Sequence, residues 1–340
     1  MMNIDSQYMQ LAIDEAWKYQ LLTYPNPAVG AVVVQDDNIL SIEAHKEAGT
    51  PHAEVLALKS AYLKKYPNSP LKDLVDSHSI HDYLIKNHKD LFEGCKIYVT
   101  LEPCNHIGKT PACAMLLEAV NIKQVYIGTL DPNKEAAGGL DRLKKAGIDV
   151  KISLLKEKTD QLLEPFILWQ KKNFVFFKIA MREDGSVDGG YITSQESLNF
   201  VHQLRTKIDL MVIGGETVRV DRPTLDTRFA NKNLPPDILI YSRKVHKIKD
   251  NGFDTDIKLF SVKGREVFIE DTLERVKEKN FVMYEGGYKL LEHLKDKFDY
   301  LVVFISHKKS SSKPFEVESL GFTKIYSYMI NQYDELVFLK

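Results

Sequence analysis

Apolar and polar positions along the first 150 residues follow two alternating rhythms. Residues 8–20 carry apolar side chains at helical spacing and predict an amphipathic helix. The run 28–35 (AVGAVVVQ) reads as a buried strand, 36–38 as a turn and 39–44 as a second strand. Proline is tolerated in a first helical turn, so Pro51 predicts a helix opening there and reaching about residue 61, with His52 and Glu54 in its first turn. Strand 96–101 (KIYVTL), helix 112–119, strand 124–128, helix 138–145 and strand 148–152 follow. Strands alternating with helices indicate an α/β layer. Residues 62–93 interrupt the rhythm with a polar insert, which holds at most a short helix around HDYLIKNHKDLF. Its His78, His81 and His88 are expected to be solvated, and its removal is expected to leave the rest intact. A linker helix is expected within 156–172. A second alternation then runs through strand 174–180, helix 194–205, strands 210–214 and 238–242, helix 272–279, strand 280–285, helix 288–295, strand 300–305 and a last strand at 336–339. The pattern divides the chain into units 1–155 and 173–340.

With 340 residues, 44% of them hydrophobic, the chain is long enough for two cores, because single cores stop growing near ~250–300 residues. Its 46 basic and 47 acidic residues leave a net charge of −1, which gives no general pull toward nucleic acid or anionic membranes. The first residues lack a basic stretch followed by an apolar run, so no signal peptide is expected. No membrane span is expected either, since no apolar run approaches ~18 residues. Three cysteines form no disulfide framework, and a reducing cytoplasm is the expected compartment.

Chemistry concentrates in two places. His52 and Glu54 lie two apart, and Cys104 and Cys113 flank a loop between a strand and a helix. One imidazole and two thiolates suit Zn²⁺, and three protein ligands leave a fourth position for water. Zinc lowers the pKa of that water to about 7. Glu54, not a ligand, can take its proton and pass it to a leaving nitrogen, the scheme known for zinc deaminases that carry H-x-E followed by P-C-x-x-C. Here the cysteines are farther apart. The alternative is a closed zinc knuckle completed by Cys95 or His106.

The segments 25–30 (PNPAVG), 51–55 (PHAEV) and 99–113 (VTLEPCNHIGKTPAC), with Asp131-Pro132-Asn133 and Ala137-Gly138-Gly139, resemble the bifunctional deaminase/reductases of bacterial riboflavin biosynthesis. That resemblance implies a cytidine-deaminase-like α/β/α domain followed by a dihydrofolate-reductase-like α/β domain. It implies removal of an amino group from a phosphoribosylated diaminopyrimidinone, then reduction of the ribosyl group to ribityl with NADPH. It also implies one zinc ion on His52, Cys104 and Cys113, with Glu54 catalytic. Substrate contacts are implied for Asn26, His45, His106, Lys109 (as a point charge for the 5′-phosphate), Thr110, Asp131 and Asn133.

In the second unit, residues 178–185 (KIAMREDG) resemble the family's K-x-x-x-S-x-D-G. Segment 192–194 (ITS), 214–218 (GGETV), 221–228 (DRPTLDTR) and 285–287 (EGG) match further family segments. The resemblance implies cofactor or substrate contacts for Lys178, Asp184, Thr193, Ser194, Arg205, Gly214, Thr217, Asp221, Leu225, Arg228, Glu285, Gly286 and Gly287. Gly286 and Gly287 fall between a strand and a helix, where bare backbone can approach a pyrophosphate. Arg182 and Arg222 depart from the family pattern, and the stretch 184–192 is short. Two readings therefore stand: a bifunctional enzyme, or a deaminase with an inactive reductase-like unit. Charge and the long inter-cysteine loop argue against a third, a nucleic-acid deaminase. A small-molecule substrate, no nucleic-acid or membrane partner, and a homodimer or homotetramer are expected.

Overall fold

A computed structural model describes residues 3–340 apart from 107, 109, 134–135, 188–189, 191, 233, 244–252, 254–255 and 309–313. The chain divides into two compact units, Met1–Ile167 and Leu168–Lys340.

The first unit is built on a five-stranded sheet of order β2-β1-β3-β4-β5. β1 Gly30–Gln35 and β2 Asn38–Ala44 form an antiparallel hairpin. Asp36 and Asp37 make its two-residue turn at φ 48° and 59°, the left-handed pair that a tight hairpin with matched twist requires. β3 Lys96–Leu101 pairs antiparallel with β1 and parallel with β4 Gln124–Thr129, which continues parallel to β5 Asp149–Lys151. α1 Ile4–Trp17 begins earlier than its apolar pattern suggests. Asn3 caps it by accepting from Ser6 N at 2.8 Å, and a good cap starts a helix ahead of its apolar face. The remaining helices of this unit are α2 Ala53–Lys65, α3 Ser77–Asn87, α4 Cys113–Ala119 and α5 Gly139–Lys145. The helix expected between the units is α6 Lys156–Lys171, with Pro165 inside it.

The insert does hold a short helix, α3, but it is not the solvated segment expected from its histidines. α2 runs into it as far as Lys65, and α3 packs against both α2 and α4. Leu71, Ile80, Leu84 and Phe92 are fully buried, and so is His81. Only His78 of the three insert histidines is exposed. Polar residues dominate the count, but α3 sets its few apolar ones on one face.

The second unit holds an eight-stranded sheet of order β12-β13-β11-β6-β10-β7-β8-β9. The strands are β6 Phe174–Arg182, β7 Leu210–Gly214, β8 Asp237–Tyr241, β9 Val267–Glu270, β10 Phe281–Glu285, β11 Tyr300–Ser306, β12 Lys324–Met329 and β13 Asp334–Leu339. Strands β6 to β11 pair in parallel; β13 and β12 close one edge antiparallel. The central strands are dominated by apolar residues, as a parallel sheet covered on both faces needs, with Lys178 the charged exception inside β6. Phe177, Met181, Val212, Leu239, Tyr284 and Val303 share its core. The helices are α7 Gln195–Arg205, α8 Gly215–Asp221 and α9 Tyr288–Leu294. The helix expected at 272–279 is a single 3-10 segment, Glu274–Glu278, and β9, β12 and α8 are elements beyond those expected. Among the described residues, no helix is long and apolar enough to cross a membrane.

Candidate metal centre and a second polar cluster

His52 does not lie in the first turn of α2. It is the N-cap, at φ −71° and ψ 164°, and its side chain makes no capping bond. Ser, Thr, Asp or Asn at this position would fold back onto the helix; the imidazole instead turns toward the cysteines. His52 Nδ1 lies 3.6 Å from Cys104 Sγ and 3.4 Å from Cys113 Sγ. Zinc–sulfur and zinc–nitrogen bonds of about 2.3 and 2.0 Å at a tetrahedral angle would set those atoms about 3.5 Å apart. The three donor atoms all lie within 4.8 Å of one another, so the set fits one zinc ion. Among the described residues no fourth protein ligand joins them. Cys95 is turned to Leu91 O at 3.5 Å and His106 is exposed, which removes the closed-knuckle reading for both.

Each ligand has a local reason for its place. Cys113 opens α4, and its backbone N–H donates to Cys104 Sγ at 3.4 Å. The Cys113 thiol, that N–H and His52 together hold the Cys104 thiol well below its usual range despite burial. Cys104 follows Glu102 and Pro103 after β3. Glu102 accepts from three backbone N–H groups: Gly138 at 3.0 Å, Leu140 at 3.0 Å and Asp131 at 3.2 Å. It thereby ties the Cys104 loop to the start of α5. Gly139 passes so close that a Cβ there would sit 1.8 Å from the Pro103 carbonyl oxygen. Glu102 was absent from the sequence-based site. Its one signal is a carboxylate lodged between an apolar strand and a proline.

Glu54 occupies the first turn of α2 beside this centre and is buried. Burial raises its pKa to about 7, a rise that His52 opposes and Cys104 reinforces. Thr110, expected as a substrate contact, stands with Oγ1 3.3 Å from His52 Nε2, the nitrogen that faces away from the sulfurs. His45 packs edge-on to His52 with ring centroids 5.4 Å apart. Both its nitrogens are engaged: Nδ1 donates to Pro51 O at 3.2 Å, and Nε2 accepts from Asn26 Nδ2 at 3.0 Å. Burial, then His52, lowers the His45 pKa to about 4, so the ring is neutral. Asp131 Oδ1 accepts from Asn133 N at 2.8 Å, closing a turn. Lys109 lies outside the described residues.

The second unit gathers a different set. Lys178 on β6 and Glu285 at the end of β10 are register partners, and their charges meet at 2.9 Å. Arg205, the last residue of α7, reaches the other Glu285 oxygen at 3.2 Å. Burial would favour a neutral Glu285, but Lys178 and Arg205 outweigh it and hold the carboxyl at about 2. Asp226 pairs with Arg228 at 3.0 Å. Asp221 ends α8, exposed, its pKa raised by partial burial and then by Glu285. Gly214 is the N-cap of α8, so Thr217 does not cap that helix. A Cβ on Gly286 would come within 2.8 Å of Leu290, whereas one on Gly287 would meet nothing within 4 Å. Backbone beside Gly287 is therefore open to a ligand.

Other expected residues serve the scaffold in visible ways. Ser194 caps α7 through Ser197 N at 3.4 Å, with its own N–H on Asp334 at 2.7 Å; Thr193, just before it, is half-buried. Asp184 accepts from Ser186 N at 3.0 Å. Arg182 reaches Ser186 Oγ at 3.3 Å, and Arg222 closes α8 at φ 45° and pairs with Asp256. Leu225 is buried at φ 54°. Its carbonyl, with those of Thr224 and Leu259, accepts from the Arg265 guanidinium at 2.6, 2.8 and 2.6 Å. Arg265 also went unread, since nothing in KGREVF marks it among surface charges.

Comparison with known proteins agrees with both halves. Residues 2–129 match the family model of the cytidine and deoxycytidylate deaminase zinc-binding region; residues 173–306 match the RibD C-terminal domain. A riboflavin biosynthesis protein RibD of Aquifex aeolicus is 32% identical over 90% of this chain and 87% of its own length. That of Bacillus amyloliquefaciens is 32% identical over 82% of this chain and 71% of its own. The crystal structure of a diaminohydroxyphosphoribosylaminopyrimidine deaminase/5-amino-6-(5-phosphoribosylamino)uracil reductase from Thermotoga maritima covers 99% of this chain and 98% of that one, with a TM-score of 0.60 and 28% identity. The chain belongs to the RibD family of riboflavin biosynthesis proteins, which join a zinc-dependent deaminase to a reductase.

Proposed function

We propose that His52, Cys104 and Cys113 hold the zinc ion of the deaminase and that Glu54 carries the protons of its reaction. The observation that supports this best is one imidazole nitrogen 3.4 and 3.6 Å from two sulfurs, with a buried carboxyl two residues on. Bound zinc supplies Lewis acidity that makes water reactive near neutral pH. Glu54 takes the proton of the attacking water and returns it to the amino nitrogen of the pyrimidine ring. The C–N bond breaks, ammonia leaves, and the ring carbon becomes a carbonyl. The substrate is the phosphoribosylated diaminopyrimidinone, with the His45–Asn26 pair and Asp131 nearest its ring and ribose. Lys109 meets the phosphate. Lys109→Ala should raise KM for the phosphorylated substrate by about ten-fold or more, because a charged hydrogen bond is worth ~1.5–3 kcal/mol. An equal rise with the dephosphorylated nucleoside would remove Lys109 from that role.

The second unit reduces the deaminated product, ribosyl to ribityl. NADPH supplies the hydride. Lys178, Arg205, Glu285 and Arg228 bind and orient the ribose and phosphate, and the bare backbone at Gly286 and Gly287 gives the cofactor its approach. A coupled assay with the diaminopyrimidinone phosphate decides the matter: ultraviolet change without NADPH reports deamination, and NADPH oxidation afterwards reports reduction. No oxidation with deaminated substrate would leave a deaminase alone.

Thr110 supports the metal as well as lying near substrate. Outer partners of a ligating histidine fix its orientation, and losing one typically costs 10–100-fold in metal affinity. Thr110→Val keeps the volume and removes the acceptor for His52 Nε2–H. Competition with a chromogenic chelator should show a loss of about that size; unchanged affinity would confine Thr110 to the substrate.

A further inference from the structure

α3 of the insert contributes no metal ligand, yet it stands beside both helices that begin at one. α2 starts behind His52 and α4 starts with Cys113, and α3 packs on each. Its inner stripe is Ser77, Ile80, His81 and Leu84, the i, i+3, i+4, i+7 spacing of a helix face that meets a core. His81 is the polar exception to be explained. It is 1% exposed, and its Nε2 donates to Ala112 O at 3.2 Å. Ala112 is the N-cap of α4. The first helical bond to the same carbonyl, from Leu116 N, is longer at 3.4 Å.

That carbonyl belongs to the peptide unit whose other end is the Cys113 N–H. A trans peptide is planar, with C=O and N–H pointing in opposite directions. His81 holds one end of the plane, and the other end donates to Cys104 Sγ at 3.4 Å. Hydrogen bonds in such a chain polarise one another. We propose that His81 is a positioning residue of the metal centre: through the Ala112–Cys113 peptide it aims an N–H at the Cys104 sulfur and sets the Cys113 side chain. The insert is then a support of the metal site, and removing residues 62–93 loosens zinc instead of sparing it. This rests on the zinc ligands assigned above.

The test uses the full chain, loaded with zinc or with cobalt in its place. Wild-type protein should bind one ion with a thiolate-to-cobalt charge-transfer band; failure to do so overturns the ligand assignment itself. His81→Leu fills the space without a donor, and His81→Gln keeps an N–H. Zinc release to excess chelator should be about 10–100-fold faster in His81→Leu, the usual effect of losing an outer partner, with a displaced cobalt band. His81→Gln should return most of the way to wild type. Should His81→Leu not fold, His81→Met against His81→Gln makes the same comparison. Release at the wild-type rate from the donor-free variant overturns the proposal. Equal release from the donor-free and Gln variants also overturns it, because packing alone would then account for the insert.

Discussion

Glu54→Gln should abolish nearly all deamination while zinc stays bound and the reductase keeps its rate. Glutamine preserves the shape of the side chain in the first turn of α2, and His52, Cys104 and Cys113 are untouched. What is lost is the capacity to accept and return a proton. Positioned acid–base groups contribute typically ~10²–10⁴-fold, and Glu54 is proposed to act at more than one transfer, so the fall should reach at least that range. Burial, which raises its pKa to about 7, places the group where it can both take and give a proton near neutrality. Supplied with deaminated substrate, the variant should oxidise NADPH as wild type does, because Lys178, Arg205 and Glu285 are unchanged. Metal analysis beside both assays checks the prediction. Retained deamination with zinc in place would show that the proton moves through another group.

Glu285→Gln should damage the second unit in two ways. Lys178 and Arg205 both point at this carboxylate. Neutralising it leaves two largely buried cations facing a group that no longer compensates them. Breaking such a pair from one side costs on the order of 3–5 kcal/mol. The pKa leads to a similar size. A folded value of about 2 against a usual 4.5 corresponds to ~3 kcal/mol. The folded value is the depressed one, so this stability is present above about 4.5 and disappears as pH falls from there toward 2. Thermal unfolding of the wild type should therefore weaken through that window, and the variant should be weakened already at pH 7, with a flatter acid limb. NADPH oxidation should fall ~10–100-fold, the worth of one charged hydrogen bond. A variant as stable as wild type at pH 7 would mean that solvent already screens the trio.

Most of the first unit was legible because its signals are local. β1, β3 and β4 each carry a compact apolar stretch, and His52, Glu54, Cys104 and Cys113 combine residue types that few other sites need. The errors have physical causes. β9 and β12 are the two edges of their sheet, where a strand is only half covered. VFIE and KIYSYM accordingly lack a clean apolar face. α8 is seven residues long and begins with glycine, so its stability comes from packing and not from its own sequence. His81 is hidden in the sequence because the polar composition of its segment masks the helical spacing that it shares with Ser77, Ile80 and Leu84. The bonds of Thr110 and Glu102, and those of Arg265 to Thr224 and Leu225, join segments far apart in the chain, and no spacing rule reaches that far.

Glu102 shows how such distance matters. All three metal ligands lie between residues 52 and 113, yet among the described residues the carboxylate behind Cys104 is satisfied by N–H groups at 131, 138 and 140. The stretch that contains the ligands, 52–113, is shorter than the stretch that organises them, which reaches residue 140. During synthesis, the last ligand emerges before the amides that settle the Cys104 loop. On a ribosome, Cys104 and Cys113 are therefore both in place before the backbone amides that settle the Cys104 loop have been made, and the loop takes its final form with the start of α5.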